Sequence, residues 1–333
     1  MQGSRSFFPK SLFFFIAALF IPLAITNDYH LRVVNMVVLY SIVALSINLI
    51  VGFSGQLDFG RSAFVGVGAY WSAIMMQRFG FPFLPAFLSA GMICALVGAG
   101  LGLLCRKSSF DYLTLITIGF NEMCRLIFLN WQSVTNGAMG LRKVPPPVIF
   151  GYVFDTNVRY FYFSLILLSL CYVLIRRITE SKLGRAFQAI RDDPIAAAYS
   201  GISVPDYKVL NFAVGSFFTG IAGSAMVHYT QYASPYNYTL DESIYILQMV
   251  ILGGLGSLPG SILGTALLVI LPEISRTFYE YRLASVGLLM VFMMMWAPNG
   301  ILGRQGVGEK VIGLARFLPV RRKAPQEKGR GVS

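Results

Sequence analysis

Apolar residues in this chain are massed in long runs separated by short polar breaks. The runs fall at 11–26, 33–51, 62–78, 84–105, 112–131, 159–176, 208–232, 241–253, 261–278 and 283–301. Most have the roughly 17–25 residues a helix needs to cross hydrocarbon. Backbone groups in lipid must pair internally, and the strict two-residue alternation of a membrane barrel is absent. The pattern predicts an all-α fold, a polytopic transmembrane helical bundle of about ten spans. The short eighth run, and the glycines after it, widen that to roughly eight to ten.

Three segments break the alternation of span and loop. Residues 132–158 carry Asn136-Gly137, Gly140 and Pro145-Pro146-Pro147, which predict an ordered, non-helical outer loop. Residues 177–207 form a polar insertion with helix signals. The chain after Gly303 contains an apolar stretch at 311–320, readable as an interfacial helix, and then a polar end. The expected organisation is a membrane domain over 1–303, a cytoplasmic loop at 177–207 within it, and a basic, partly disordered tail over 304–333. There is also an internal echo. Val51-Gly52-Phe53-Ser54-Gly55 and Leu252-Gly253-Gly254-Leu255-Gly256 each follow an apolar run and precede glycine-spaced sequence. Paired interruptions of this kind mark the substrate region of some transporters; tight helix packing through small residues explains them equally well.

Composition sharpens the class. The chain is 56% apolar and 13% charged, about half the charge a soluble domain uses to coat its surface. Its net charge of +12 is explained by topology rather than by nucleic acid, for which no motif is present. With the N-terminus in the cytoplasm, 19 of the 27 basic residues fall inside, so both termini are expected there. The basic tail then faces anionic inner-leaflet lipid. Arg5 and Lys10 precede the first run, but no small-residue cleavage site follows, so an uncleaved first span is expected. Four cysteines lie within or at the ends of apolar runs and only two histidines exist, so no metal site is expected.

The insertion carries the most chemistry. From Ser181 to Arg191 an apolar stripe recurs at Leu183, Ala186/Phe187 and Ile190. Asp193 is placed to cap a second helix with Pro194 at its first position, and Gly201 suits its end. The result is a helix–turn–helix elbow with Ile195, Ala198/Tyr199 and Ile202 as an apolar knob. It either docks against another protein or lies on lipid headgroups.

The run Gly184-Arg185-Ala186-Phe187-Gln188-Ala189-Ile190-Arg191-Asp192-Asp193-Pro194-Ile195-Ala196-Ala197 resembles the cytoplasmic coupling segment of branched-chain amino acid ABC transporter permeases of the LivM type. Further blocks agree: Val51 to Gly60 leading into Ala63 to Tyr70, Asp111 to Glu122 continuing through Arg125 to Trp131, Gly253 to Gly260, and Trp296-Ala297-Pro298-Asn299-Gly300. The resemblance spans about residues 35–303 in order. Asp58 and Arg61 depart from it, standing where the family more often has a small or polar residue and a His or Tyr.

The resemblance implies a permease subunit of an importer in the bacterial inner membrane. Its implied partners are two ABC ATPase subunits, a second homologous permease and a periplasmic substrate-binding protein. ATP and magnesium would sit in the ATPases. This chain lacks G-x-x-x-x-G-K-[ST], so no cofactor and no catalytic residue are expected in it. Energy would arrive through Gly184, Arg185, Arg191, Asp192, Asp193, Pro194, Ile195, Ala196, Ala197, Tyr199 and Gly201. Branched-chain amino acids are the default substrate, with other amino acids, urea and short amides as alternatives.

A substrate pathway is expected near Gly55, Gln56, Asn121, Glu122, Arg125, Asn136 and Gly137. Glu122 and Arg125 lie three apart in an apolar span, where each charge costs about 2.5–3.5 kcal/mol, so they should pair and face protein or water. Such a pair either locks the span to a neighbour or helps pass a zwitterionic substrate. Two rival classes fit parts of the pattern. An intramembrane serine protease would use Ser54 within Gly52-Phe53-Ser54-Gly55 together with His228, and requires the two to meet. An ion-coupled secondary transporter would explain buried charges but leaves the elbow unexplained.

Overall fold

The computed structural model describes residues 27–106, 110–149, 151–274, 282–296 and 300–303, with the isolated positions 19 and 22. Apart from those two positions, the expected first span at 11–26 lies outside the described residues. So do the apolar stretch at 311–320 and the tail 304–333.

The observed elements are helical almost throughout. They are α1 (Asp28–Ile47), extended by one π-helical turn (Asn48–Gly52), α2 (Arg61–Phe79), α3 (Phe83–Leu104) and α4 (Phe110–Asn130). A one-turn helix α5 (Gln132–Thr135) and a 3₁₀ turn (Gly137–Met139) follow. Next come two-residue strands β1 (Leu141–Arg142), β2 (Val148–Ile149) and β3 (Tyr152–Val153), and the long α6 (Asn157–Glu180). The elbow is α7 (Lys182–Asp192) and α8 (Pro194–Tyr199), leading into α9 (Val204–Thr230). After β4 (Tyr232–Ala233) and a 3₁₀ turn (Pro235–Asn237), the chain finishes with α10 (Leu240–Gly253), α11 (Leu258–Ile274) and α12 (Arg282–Trp296). β1 pairs antiparallel with β4, and β2 with β3. The segment at 132–158 is thus an ordered cap of turns and short strands, as its glycines and prolines predict, with one added helical turn at Gln132–Thr135.

Five segments are long and apolar enough to cross a membrane: Asp28–Gly52, Phe83–Leu104, Tyr112–Asn130, Asn157–Glu180 and Val204–Thr230. The helical membrane fold expected from the runs is therefore observed. α10, at 14 residues, is about 21 Å long, well short of a hydrocarbon core of roughly 30 Å. It starts inside the bundle, where Glu242 in its first turn accepts a hydrogen bond from Tyr40 of α1 at 2.6 Å.

The bundle has two distinct ends. At one, the 132–158 cap is tied to the helices: Val144 N donates to Gln231 O at 3.2 Å, Gln77 Nε2 to Arg142 O at 2.8 Å, and Asn35 Nδ2 to Asn157 O at 3.0 Å. At the other, α6 ends and α9 begins, joined by the elbow, and an Arg106–Asp206 ion pair at 2.9 Å holds the end of α3 to the start of α9. We call these the cap end and the elbow end. α1 and α9 lie in the middle, with Leu39, Ile42, Leu45, Phe212, Ala222 and Ala225 fully buried.

Small residues set how closely the central helices approach. A Cβ added at Gly68 of α2 would lie 2.4 Å from the Gly220 carbonyl oxygen of α9, so the two backbones are in direct contact. Gly68→Val should therefore force α2 and α9 apart and destabilise the protein by about 1–3 kcal/mol or more. At Gly100 of α3 nothing lies within 4 Å of an added Cβ. Gly100→Ala should leave stability unchanged or raise it by up to about 1 kcal/mol, through helix propensity. Thermal unfolding of both variants in the same detergent checks the contrast.

Candidate functional site

Two helix interruptions meet at the elbow end. α1 widens into the π-turn, then Gly55 turns left-handed (φ 72°), and the amides of Gly55 and Gln56 return to the carbonyls of Val51 and Ile50 at 3.1 and 3.2 Å. α10 stops at Gly253, and Gly254 and Gly256 both take positive φ. Asn48, fully buried in the π-turn, joins the two breaks. Its Oδ1 accepts from Gly256 N at 2.8 Å, and its Nδ2 donates to Ser257 O at 3.0 Å and Ser261 Oγ at 2.8 Å. The contact leaves no room for side chains, since a Cβ at Gly52 would sit 2.5 Å from Gly256 N. The two halves of the glycine echo, about two hundred residues apart in sequence, are thus one junction.

From this junction a buried polar core follows the start of α2. Asp58 and Arg61, both fully buried, form an ion pair: Arg61 Nε donates to Asp58 Oδ2 at 2.9 Å and Nη2 reaches the same oxygen. Asp58 Oδ1 caps the turn by accepting from Gly60 N at 2.8 Å. Arg61 Nη1 donates to Thr219 Oγ1 of α9 at 3.0 Å, and the guanidinium lies 5.2 Å from the centre of the Phe64 ring. The two residues that depart from the family pattern therefore pair with each other. Next to them Asn121 of α4, also fully buried, accepts at Oδ1 from Ala63 N at 2.9 Å and from Ser62 Oγ at 2.8 Å. Ser62 in turn meets Ser243 of α10 at 2.9 Å. Among the described residues, three buried side-chain amides in this region carry unmatched atoms: Asn121 Nδ2, Asn211 Oδ1, and both polar atoms of Gln56, which is 1% exposed.

The sequence placed the elbow accurately. Ser181 caps α7 by accepting from Leu183 N at 3.1 Å. Asp193 Oδ1 caps α8, accepting from Ile195 N at 2.8 Å and Ala196 N at 3.1 Å, with Pro194 at the first helical position. Gly201 closes it with φ 83°. The stripe Ala186, Phe187 and Ile190 is buried, with Phe187 edge-on to Tyr207 of α9. Gly184 lies against the end of α6, where an added Cβ would be 2.1 Å from Thr179 O. Ala197 is buried as well, whereas Ile195 and Tyr199 are 68% and 90% exposed. Arg185 reaches only the Glu180 carbonyl at 3.2 Å, and Asp192 is exposed. Arg191, though exposed, reaches the bundle through Nη1, which donates to the Gly52 carbonyl.

The remaining sequence-predicted residues separate. Glu122 and Arg125 pair with each other on one helix, Arg125 Nε donating to Glu122 Oε2 at 2.9 Å, with side chains 46% and 22% exposed. The pair lies along a part-exposed face of α4 rather than bridging to another described helix. Asn136 and Gly137 lie at the cap end, both left-handed (φ 65° and 58°), where Thr135 and Gly137 close α4 and α5. They are at the opposite end from Gly55 and Gln56. The pairing a serine protease needs is not formed. Ser54 Oγ accepts from Asn211 Nδ2 at 2.8 Å, while His228 bonds Ser72 Oγ at 2.6 Å and Pro145 O at 2.8 Å. Since the carbonyl can only accept, His228 Nδ1 carries the proton and Nε2 accepts from Ser72. The histidine is a clasp between the cap and α2.

Sequence reading missed Asn48, Asn211, Ser62, Ser243 and Thr219. Their one signal is a polar side chain within an apolar run, which does not say what it will meet. The Asp58–Arg61 pair yields a direct test. Arg61→Met alone strands a buried carboxylate and should destabilise the protein by about 3–5 kcal/mol, while Asp58→Leu combined with Arg61→Met should recover most of that loss. Unfolding midpoints of the single and double variants in detergent measure it.

Comparison with known proteins agrees with this architecture. Residues 29–297 match the model of the family described as branched-chain amino acid transport system / permease component. The chain is 32% identical over 319 residues to the high-affinity branched-chain amino acid transport system permease protein LivM of Salmonella typhimurium, covering 88% of this chain and 75% of that protein. Against LivM of Escherichia coli it is 33% identical over 293 residues, covering 81% and 69%. Against the LivH permease of Escherichia coli it is 24% identical over 293 residues. No solved structure matches the chain. The chain therefore belongs to the branched-chain amino acid transport permease family and is a multi-pass membrane protein of the LivM type.

Proposed function

We propose that this chain is one of two permease subunits of an ATP-driven importer of branched-chain amino acids in the bacterial inner membrane. Both termini face the cytoplasm, and about ten crossings are completed by α2, α11, α12, the N-terminal run and the short α10, which crosses only together with the turns that lead into it from the cap end. A periplasmic binding protein delivers substrate at the cap end. Two separate ATPase subunits, holding ATP and magnesium, bind at the elbow end. The single observation that carries this reading is the elbow itself: a doubly capped helix pair, anchored by Phe187 and Ile190, that holds Ile195 and Tyr199 out from the bundle. Fixing two large apolar side chains in solvent suits a protein partner better than it suits an isolated loop.

The substrate route runs beside the polar core. The unmatched Gln56 and Asn121 amides each cost about 1–3 kcal/mol in a dry interior, and a substrate's ammonium and carboxylate groups would satisfy them. Glu122 and Arg125 on α4 cannot face lipid cheaply, so their face borders either the route or the second permease.

Two measurements test the reading. Affinity purification of the tagged chain in mild detergent should recover two ATPase subunits and a sister permease, and Ile195→Ser with Tyr199→Ala should cut ATPase recovery at least tenfold. A chain that purifies alone and transports without ATP would overturn it. Gln56→Leu should leave assembly intact while reducing leucine uptake at least fivefold; undiminished uptake removes Gln56 from the route.

A further inference from the structure

We infer that Arg191 is the positioning residue that ties the elbow to both broken helix ends, so that movement of the elbow is passed directly into the α1–α10 junction. The inference rests on the importer reading above and adds to it the route by which the elbow acts.

The elbow is connected covalently only to α6 and α9, and both are continuous helices. Pushing it would tilt those two rods, but nothing in the covalent chain carries the push to the interruptions. Arg191 supplies that link. It stands in the last turn of α7, next to the Asp193 cap, and its Nη1 donates to the carbonyl of Gly52. That carbonyl is at the C-terminal end of α1, where the helix dipole leaves partial negative charge and a guanidinium is favoured.

The surroundings are shaped to fit the side chain. An added Cβ at Gly55 would lie 3.1 Å from Arg191 Cγ, and one at Gly256 would lie 3.2 Å from Arg191 Nη1. The side chain, exposed over part of its surface, thus lies against both turns. From Gly256 the contact continues at once, through its amide, to Asn48 Oδ1 at 2.8 Å, and from Asn48 to Ser261 Oγ of α11 at 2.8 Å. On the far side, Ile301 N and Leu302 N donate to the Leu252 and Gly253 carbonyls at 3.1 and 3.0 Å. One guanidinium therefore sits between the docking knob and a junction shared by α1, α10, α11 and the chain after α12. Arg185, on the same helix, donates to the Glu180 carbonyl of α6 and, among the described residues, makes no hydrogen bond or ion pair to these segments.

The test uses the assembled complex, reconstituted in liposomes with its binding protein, and reads labelled leucine taken up per ATP hydrolysed. Arg191→Met removes the donor and keeps the stem. It should lower this ratio at least fivefold, with ATP hydrolysis continuing. Arg191→Lys, which can still donate to the Gly52 carbonyl, should return to within twofold of the parent, and Lys182→Met serves as the control for loss of charge on α7. A ratio for Arg191→Met within twofold of the parent overturns the inference, as does a ratio for Arg191→Lys as low as that of Arg191→Met. If Arg191→Met does not assemble, Arg191→Gln is scored in its place, and failure of both to assemble overturns it too. Failure of the parent chain to bind ATPases at all would instead strike the importer reading.

Discussion

A helix that stops inside a membrane protein exposes carbonyl and amide groups that water cannot reach, and those groups must be paired by other parts of the chain. This fold contains two such stops at one end, and most of its polar architecture answers to them. Asn48 is the central device. A side-chain amide has one acceptor and two donors, so a single residue can close the amide of Gly256 and reach the carbonyl and hydroxyl that open α11. The glycines at 52, 55 and 256 follow from that geometry, because backbone and side chain approach too closely there for a β-carbon.

The same constraint accounts for the buried charges. Asp58 caps the turn into α2 and would be costly without a countercharge; Arg61 supplies one, donates from Nη1 to Thr219, and holds its guanidinium beside the Phe64 ring. The pair travels together at the start of α2, and Arg61 Nη1 ties it to α9 through Thr219, a bond that sliding α2 against α9 would break. At the cap end His228, Asn35, the short β1–β4 pairing and the exposed Arg78, which donates to the Val134 carbonyl at 2.8 Å, hold the turns of 132–158 against α2, α6 and α9. The end with the buried ion pair and the broken helices and the end closed by turns and short strands are thus built differently, which fits a molecule proposed to receive force at one end and substrate at the other.

Much of this was legible in the sequence, for definite reasons. The apolar runs give helices because lipid leaves the backbone no other partner. The elbow is written in local chemistry: Ser181 and Asp193 cap, Pro194 occupies a first position that needs no amide donor, Gly201 supplies a left-handed stop, and the stripe at Ala186, Phe187 and Ile190 selects the buried face. Each of these signals lies within a few residues of its effect. The unequal lengths of the helices were less legible, because the start of α10 depends on Thr239, Tyr40 and Ser62, which lie far apart in the chain.

The sequence by itself therefore determined the class of fold, the two-helix elbow with its exposed Ile195 and Tyr199, and the existence of two glycine-rich interruptions. Only the tertiary structure decided that the interruptions touch, that Arg61 reaches Thr219 of α9, and that Arg191 reaches the Gly52 carbonyl while Arg185 stays against α6. The physical reason is range. Capping, proline and helical periodicity act over one or two turns and can be read along the chain. A buried hydrogen bond between helices is fixed by which helices lie side by side, and that depends on small-residue contacts such as Gly68 on Gly220 that leave no mark on the local sequence beyond a glycine.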